Sequence, residues 1–182
     1  MPLPGRRWWH LTLSVRGAWL PGDPRGFRSR QHRIHSSGDY RRRPPAGEHA
    51  GLHAFAKSIA APPVAIPAAL RESLACAMVQ GFETRGGRPL ALAVSGLHVH
   101  GLVELPSDYR QARRDVGQAK RLASHQLREQ LPGRIWGQGC GLKPIDDPSH
   151  HRNTYRYILR HRDEGAWVWT FRDVEGQPEI RT

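Results

Sequence analysis

The chain has 182 residues, enough for one compact domain with a substantial core and few for two. Its 28 Lys and Arg outnumber 16 Asp and Glu, giving a formal charge of +12 and an isoelectric point near 11.1, the signature of a protein that binds a polyanion, nucleic acid first among them. With two cysteines, neither a disulfide framework nor a cysteine-based zinc site is indicated, and no apolar run is long enough to cross a bilayer, so a soluble protein of a reducing cytoplasm with no membrane role is expected.

In chain order, Trp8 to Leu20 alternates large apolar and small polar residues until Pro21-Gly22-Asp23-Pro24 breaks it, which predicts a first strand. Residues 25 to 63 are basic, weakly periodic and rich in Pro, Gly and His, and are expected to be a loop-rich insertion in a single domain spanning 1 to 182. Leu70, Leu74, Ala77, Met78 and Phe82 fall at helical spacing within 66 to 82, before Gly86-Gly87. A half-buried hairpin turning near Ser95-Gly96 follows, with Ala91, Ala93, Leu97, Val99, Val103 and Leu105 at one parity as its apolar side and both His98 and His100 pointing off it. Ser107 or Asp108 caps a helix from Tyr109 to about Gln130, 136 to 147 reads as a strand or loop crossing, and Asp147 or Ser149 caps a helix through about Arg162. Ala166 to Arg172 reads as a last strand. This order predicts an α+β fold: a ferredoxin-like split βαβ sheet with helices on one face, and an additional C-terminal helix and strand.

The cations are nearly all arginine, with Lys only at 57, 120 and 143, so phosphate can be gripped bidentately, although a GC-rich genome also enriches arginine. The candidate DNA contacts are Arg25, Arg28, Arg30 and Arg33 in the basic loop, with Arg41 to Arg43 near them, and Arg113, Lys120 and Arg121 on the long helix. A solvated charged surface explains each of them equally simply. Trp8, Trp9, Trp136 and Trp167 can stack on unpaired bases, but packing is the simpler role for most.

His98-Val99-His100 is the most informative triplet. Alternation along a strand sends Val99 to the core and aims both imidazoles the other way, where two neutral rings can hold a divalent metal if a third ligand arrives from elsewhere. With 11 histidines in the chain, one such triplet is expected by chance on the order of once, so the context must carry the reading. The C-terminal helix supplies that context. Tyr155, Ile158 and Leu159 form its core stripe, while Tyr157 and His161, four residues apart, sit one turn above the other on another face. Tyr157 is the candidate nucleophile, and a metal held by His98, His100 and His161 would polarise a phosphodiester for its attack. Everything depends on whether strand and helix meet.

These residues resemble the HUH-endonuclease superfamily, in particular its small single-tyrosine transposases of the insertion-sequence and REP-associated type. His98-Val99-His100 is similar to the His-hydrophobic-His motif, Tyr157-Ile158 to the helical tyrosine, and Trp19-Leu20-Pro21-Gly22-Asp23-Pro24-Arg25-Gly26 to the REP-associated branch. The resemblance spans roughly Trp8 to Phe171. It implies a ferredoxin-like core, a single-stranded DNA partner often folded as a hairpin, Mg²⁺ or Mn²⁺ as cofactor, a covalent 5′-phosphotyrosine intermediate and, in some members, a homodimer. The chain departs from the pattern at His161, where the family usually places Gln or Asn as third ligand, and at His161-Arg162, where Asn-Pro is common. Two other readings stand beside it: a domesticated hairpin-binding protein that no longer cuts, and a metal-dependent hydrolase using water. The last lacks a nearby carboxylate base, since Glu104 shares the histidines' parity but lies about 13 Å along the strand from His100.

Overall fold

A computed structural model describes residues 1–27, 35–37 and 44–171. The chain divides into two compact units, Met1–Val15 with Ala65–Thr182, and Arg16–Val64. The first carries five strands, β1 (Arg6–Ser14), β2 (Arg88–Val94), β3 (His98–Pro106), β4 (Gly141–Ile145) and β5 (Trp167–Thr170). They form one sheet in the order β4-β1-β3-β2-β5, antiparallel at every pairing. Helices α2 (Arg71–Glu83), α3 (Tyr109–Gln126) and α4 (Pro148–Arg160) complete the unit, and the α+β, ferredoxin-like arrangement expected from the element order is the one found.

Register decides which residues share a face. Thr12 lies opposite His100 and His10 opposite Leu102 across β1 and β3, while Ala93 pairs with His100 and Ala91 with Leu102 across β2. Strand alternation therefore puts His10, Thr12, Ala91, Ala93, His98, His100 and Leu102 on one face and Leu11, Leu13, Leu92, Val99, Val103 and Leu105 on the other. Helices α2 and α3 cover the second face. They approach closely at Gly81, where an added Cβ would lie 2.7 Å from the Cα of Ala119.

The first face is covered too, and the single apolar side expected for the hairpin is corrected: the turn resets the parity, so Ala91 and Ala93 share the histidine face, opposite Val99, Val103 and Leu105, and Leu97 is exposed. Ile158 of α4, with no exposure, packs in a cluster with Ala91, Ala93, Leu102, Ile145 and Val168. Alanine at 91 and 93 leaves the helix room to lie close. Asp147 caps α4 by accepting from the His150 amide at 2.7 Å, and Pro148 opens the helix. The helix thus begins after a two-residue link from β4 on one edge of the sheet and ends before β5 on the opposite edge. At its C-terminal end the Ala166 amide donates to the His161 carbonyl, and the Arg71 guanidinium of α2 donates to the Gly165 carbonyl.

Several expected boundaries shift. The first strand ends at Ser14, because Val15 leaves the ladder to bridge Trp136 and to donate to Leu97. The stretch read as loop contains a ten-residue helix, α1 (Ala50–Ile59), inside the second unit. There Gly22 adopts a left-handed φ of +79° with His49 and His53 so near that an added Cβ would lie 2.6 Å from the His53 nitrogen, and the same unit is held by Ser37 hydrogen bonds to Glu48. Glu104 is fully buried, and its carboxylate is ion-paired with Arg88 and accepts from the Leu3 amide at 2.6 Å, which gives it a structural task.

Gly81→Ala tests the helix contact. Helix propensity favours alanine by up to about 1 kcal/mol, but the Cβ meets backbone that cannot swing aside, and overpacking of that kind costs about 1–3 kcal/mol. The urea midpoint is expected to fall with no change in the slope of the transition.

Candidate functional site

Strand β3 and helix α4 do meet. The His98 and His100 rings stand 5.0 Å apart between centroids, His161 lies 4.7 Å from His100 and 5.9 Å from His98, and Tyr157 lies 5.3 Å from His100 and 4.8 Å from His161. Four residues separated by up to 63 positions in sequence thus form one cluster on the α4 face of the sheet. The helix arrives with Thr154, Ile158 and His161 buried and Tyr155, Tyr157 and Leu159 at the margins, so its buried stripe is rotated from the Tyr155, Ile158, Leu159 stripe expected from spacing. His161 belongs to the buried face and not to a separate one, with 7% of its surface exposed. Tyr155 packs against the core cluster as expected.

His161 Nδ1 lies 2.7 Å from the Glu164 carboxylate, which can only accept, so Nδ1 is the donor of that hydrogen bond. Its Nε2 is buried and has no hydrogen-bond partner among the described residues. Thr12 Oγ1 lies 3.4 Å from His100 Nδ1. Burial, reinforced by His98, His161 and His10, pushes the His100 pKa down to about 3, so the ring is neutral at physiological pH. Burial also raises the Tyr157 phenol above its ordinary 10; the Glu164 carboxylate adds to the rise and the Arg160 guanidinium, 6.0 Å over the ring, opposes it.

Sequence reading missed His10. It stands on β1 with its ring 5.6 Å from His100 and 5.7 Å from Tyr157, and its Nε2 is buried without a partner. Burial lowers its pKa to about 4, with Lys143, His150 and His161 contributing. The alternation of Trp8, His10 and Thr12 was visible in the sequence, but the register that sets His10 beside the cluster was not.

A divalent ion is the group this cluster has the chemistry to hold. It offers neutral imidazoles, an orphaned buried Nε2 on His161, and a carboxylate behind that ring of the kind that orients metal-bound histidines. As the side chains stand, no three His, Cys, Asp or Glu among the described residues converge on a common ion. The reason is visible in one pair: His100 and His161 are stacked 6° from parallel, and lone pairs lie in the ring planes, so the two cannot point at one ion until a ring turns.

The candidate DNA contacts fare differently. Arg28, Arg30 and Arg33, with Arg41 to Arg43, lie outside the described residues. Arg25 is committed within its own unit to Asp23, at 2.6 and 2.8 Å, and lies 4.1 Å over the Trp19 ring, so the Trp19 to Gly26 motif holds itself together. Lys120 is half-buried and donates to the Gly137 and Gly139 carbonyls, and burial lowers its pKa. Arg113 and Arg121 are exposed on α3, across the sheet from the histidines. Of the tryptophans, Trp9 and Trp136 are core residues that donate to the Pro106 and Lys120 carbonyls, while Trp8 and Trp167 are half-buried.

Neither a family profile nor a curated protein matches the chain. Among solved structures it is similar to that of a REP-associated tyrosine transposase bound to a REP hairpin, at 16% sequence identity and a TM-score of 0.48, with 100% of this chain and 91% of that chain covered. A likeness at that level carries no argument about activity.

The depressed histidines make the metal-free protein acid-sensitive. Unfolded histidines take up protons near pH 6.5, whereas His100 and His10 stay neutral in the fold down to about 3 and 4. Their contribution is therefore complete above pH 6.5 and is lost as pH falls below it, so the urea midpoint is expected to drop between pH 7.5 and 5.5. The double variant His10→Gln/His100→Gln should flatten that dependence.

Proposed function

We propose that this protein is a single-strand DNA nicking and strand-transfer enzyme of the tyrosine transposase kind, acting on hairpin-forming DNA. The observation that carries the reading is the meeting of Tyr157 and His161 with His98 and His100, two motifs whose chemistry is of little use apart. Tyr157 Oη attacks phosphorus in line; a Tyr157 O–P bond forms, the bond to the 3′ oxygen breaks, and that oxygen takes up a proton to leave a free 3′-hydroxyl and a 5′-phosphotyrosine. Attack by another 3′-hydroxyl reverses the exchange and rejoins a strand, so no external energy source is needed.

His98, His100 and His161 would hold the divalent ion, Mg²⁺ or Mn²⁺, which when bound neutralises charge on the scissile phosphate and draws it toward the phenol. Glu164 keeps His161 in the tautomer with Nε2 free to ligate, and Thr12 restrains His100. Arg160, over the Tyr157 ring, favours the phenolate that attack requires. A net charge of +12 draws the DNA, and the 1 to 182 chain works as one transposase-like module in this reading. A homodimer is compatible with it.

One observation favours a second reading, a hairpin-binding protein that does not cut. The His100–His161 stack keeps the ligands from converging as they stand, which a chain released from catalysis could keep.

A labelled pool of single-stranded DNA hairpins incubated with Mn²⁺ separates the two on a denaturing gel. The expected result is a slow-migrating protein–DNA adduct in the wild type, absent in Tyr157→Phe and reduced at least 100-fold in His100→Ala. Tight hairpin binding with no adduct in any of the three proteins leaves the binding reading.

A further inference from the structure

The proposed DNA contacts of α3 lie across the sheet from Tyr157, so the strand on which the tyrosine acts needs cations on its own side. Helix α4 supplies them. Arg152, Arg156 and Arg160 are all exposed and fall four residues apart, which places them on one ridge about 6 Å from step to step. The ridge ends where Arg160 lies 6.0 Å over the Tyr157 ring.

Two cavities flank the same ridge. One, of about 480 Å³, lies between helix and sheet against Trp8, Ile145, Pro148, His151 and Arg152. The other, of about 200 Å³, is lined by Leu90, His151, Arg152, Tyr155 and Arg156. Each presents one half-buried aromatic ring, Trp8 or Tyr155, and they share His151 and Arg152. The His151 ring meets the Trp8 ring edge-on at 5.0 Å, and its buried Nε2 has no hydrogen-bond partner. An apolar slot with an aromatic wall suits a planar heterocycle.

Two carboxylates stand at the rim of the larger cavity and both are engaged: Asp147 caps α4, and Asp146 lies 3.9 Å from Arg7. They disfavour phosphate at that mouth. The arrangement therefore has a polarity, with phosphates along the outer arginines and bases turned inward beneath the helix.

We infer that the outer face of α4 is a track for a few nucleotides of single-stranded DNA beside the nucleophile, with Arg152, Arg156 and Arg160 on successive phosphates and the Trp8 and Tyr155 cavities receiving unpaired bases. This rests on the nucleic-acid reading proposed above and extends it to the strand that Tyr157 meets. Duplex DNA keeps its bases paired and stacked, so it can touch the ridge but cannot fill the cavities.

The test is fluorescence anisotropy with labelled oligothymidine and a duplex of equal length, in EDTA, across a salt series. The proteins are the wild type, Arg152→Gln/Arg156→Gln, Trp8→Leu, and Arg110→Gln/Arg114→Gln on α3 as a charge-matched control. The α4 pair is expected to weaken oligothymidine binding at least tenfold and to reduce the slope of log affinity against log salt by about 1.4, two phosphates' worth for a single strand. Trp8→Leu should weaken it roughly tenfold with the slope unchanged and leave duplex binding unaltered. Because Trp8 also touches the core, the surface arginine pair decides if Trp8→Leu fails to fold. Equal losses in the α4 pair and the α3 control, or an unchanged salt slope in the α4 pair, overturn the track. No chemistry is needed in EDTA, so the two readings fail separately. Adduct formation with undiminished affinity in the α4 pair removes the track alone, and loss of affinity in that pair with no adduct from the wild type removes the transesterification alone.

Discussion

The seating of α4 on the sheet is the constraint from which the site follows. Ile158 is completely buried against Ala91, Ala93 and Leu102, and the shortness of those alanines sets how near the helix lies. A larger side chain at Ala93 would lift the helix at the strand position paired with His100. Tyr157 and His161 flank Ile158 in sequence and would be lifted with it. The packing that holds the fold and the packing that assembles the cluster are therefore the same few atoms. Burial also keeps His100 neutral at physiological pH, since it lowers that imidazole's pKa to about 3.

Much of this was legible before any coordinates. Alternation in 88 to 106 and the Ser95-Gly96 break give the hairpin, and Asp108 and Asp147 both cap the helices that follow them. What was hidden depends on register and on the second face of the sheet. Leu102 and Glu104 are buried on the histidine side, which a reading of one apolar face cannot reveal, because Ile158 of a helix distant in sequence packs with Leu102 and the Leu3 amide and Arg88 engage Glu104. His10 was hidden for the same reason. Its neighbours were invisible until β1 was aligned with β3, and a shift of one residue would have sent it to the opposite face. The rotated stripe of α4 has a local cause: Thr154 and His161 are polar and do not score as core, yet the helix buries them.

Charge behaves in a similar way. The excess of arginine is plain in the composition, but the structure divides it by task. Arg25 serves Asp23, Arg88 serves Glu104 and Arg85 serves buried Asp115, so these cations satisfy acids that would otherwise be costly to bury. Arginines at 152, 156 and 160 remain exposed to solvent along α4. Location relative to Tyr157, more than number, separates cations that hold the fold from cations available to a ligand.

Helix α4 leaves β4 on one margin of the sheet and joins β5 on the other, with Arg71 gripping the turn that follows it. It behaves as a beam clamped at both ends. Swinging it away, or exchanging it with a second copy, would require unzipping a marginal strand from its neighbour, a slow local unfolding event. Turning one ring in the His100–His161 stack is a side-chain rotation that leaves every strand pairing in place. The mechanical freedom of this site thus resides in its rings, while the backbone that carries the phenol stays put.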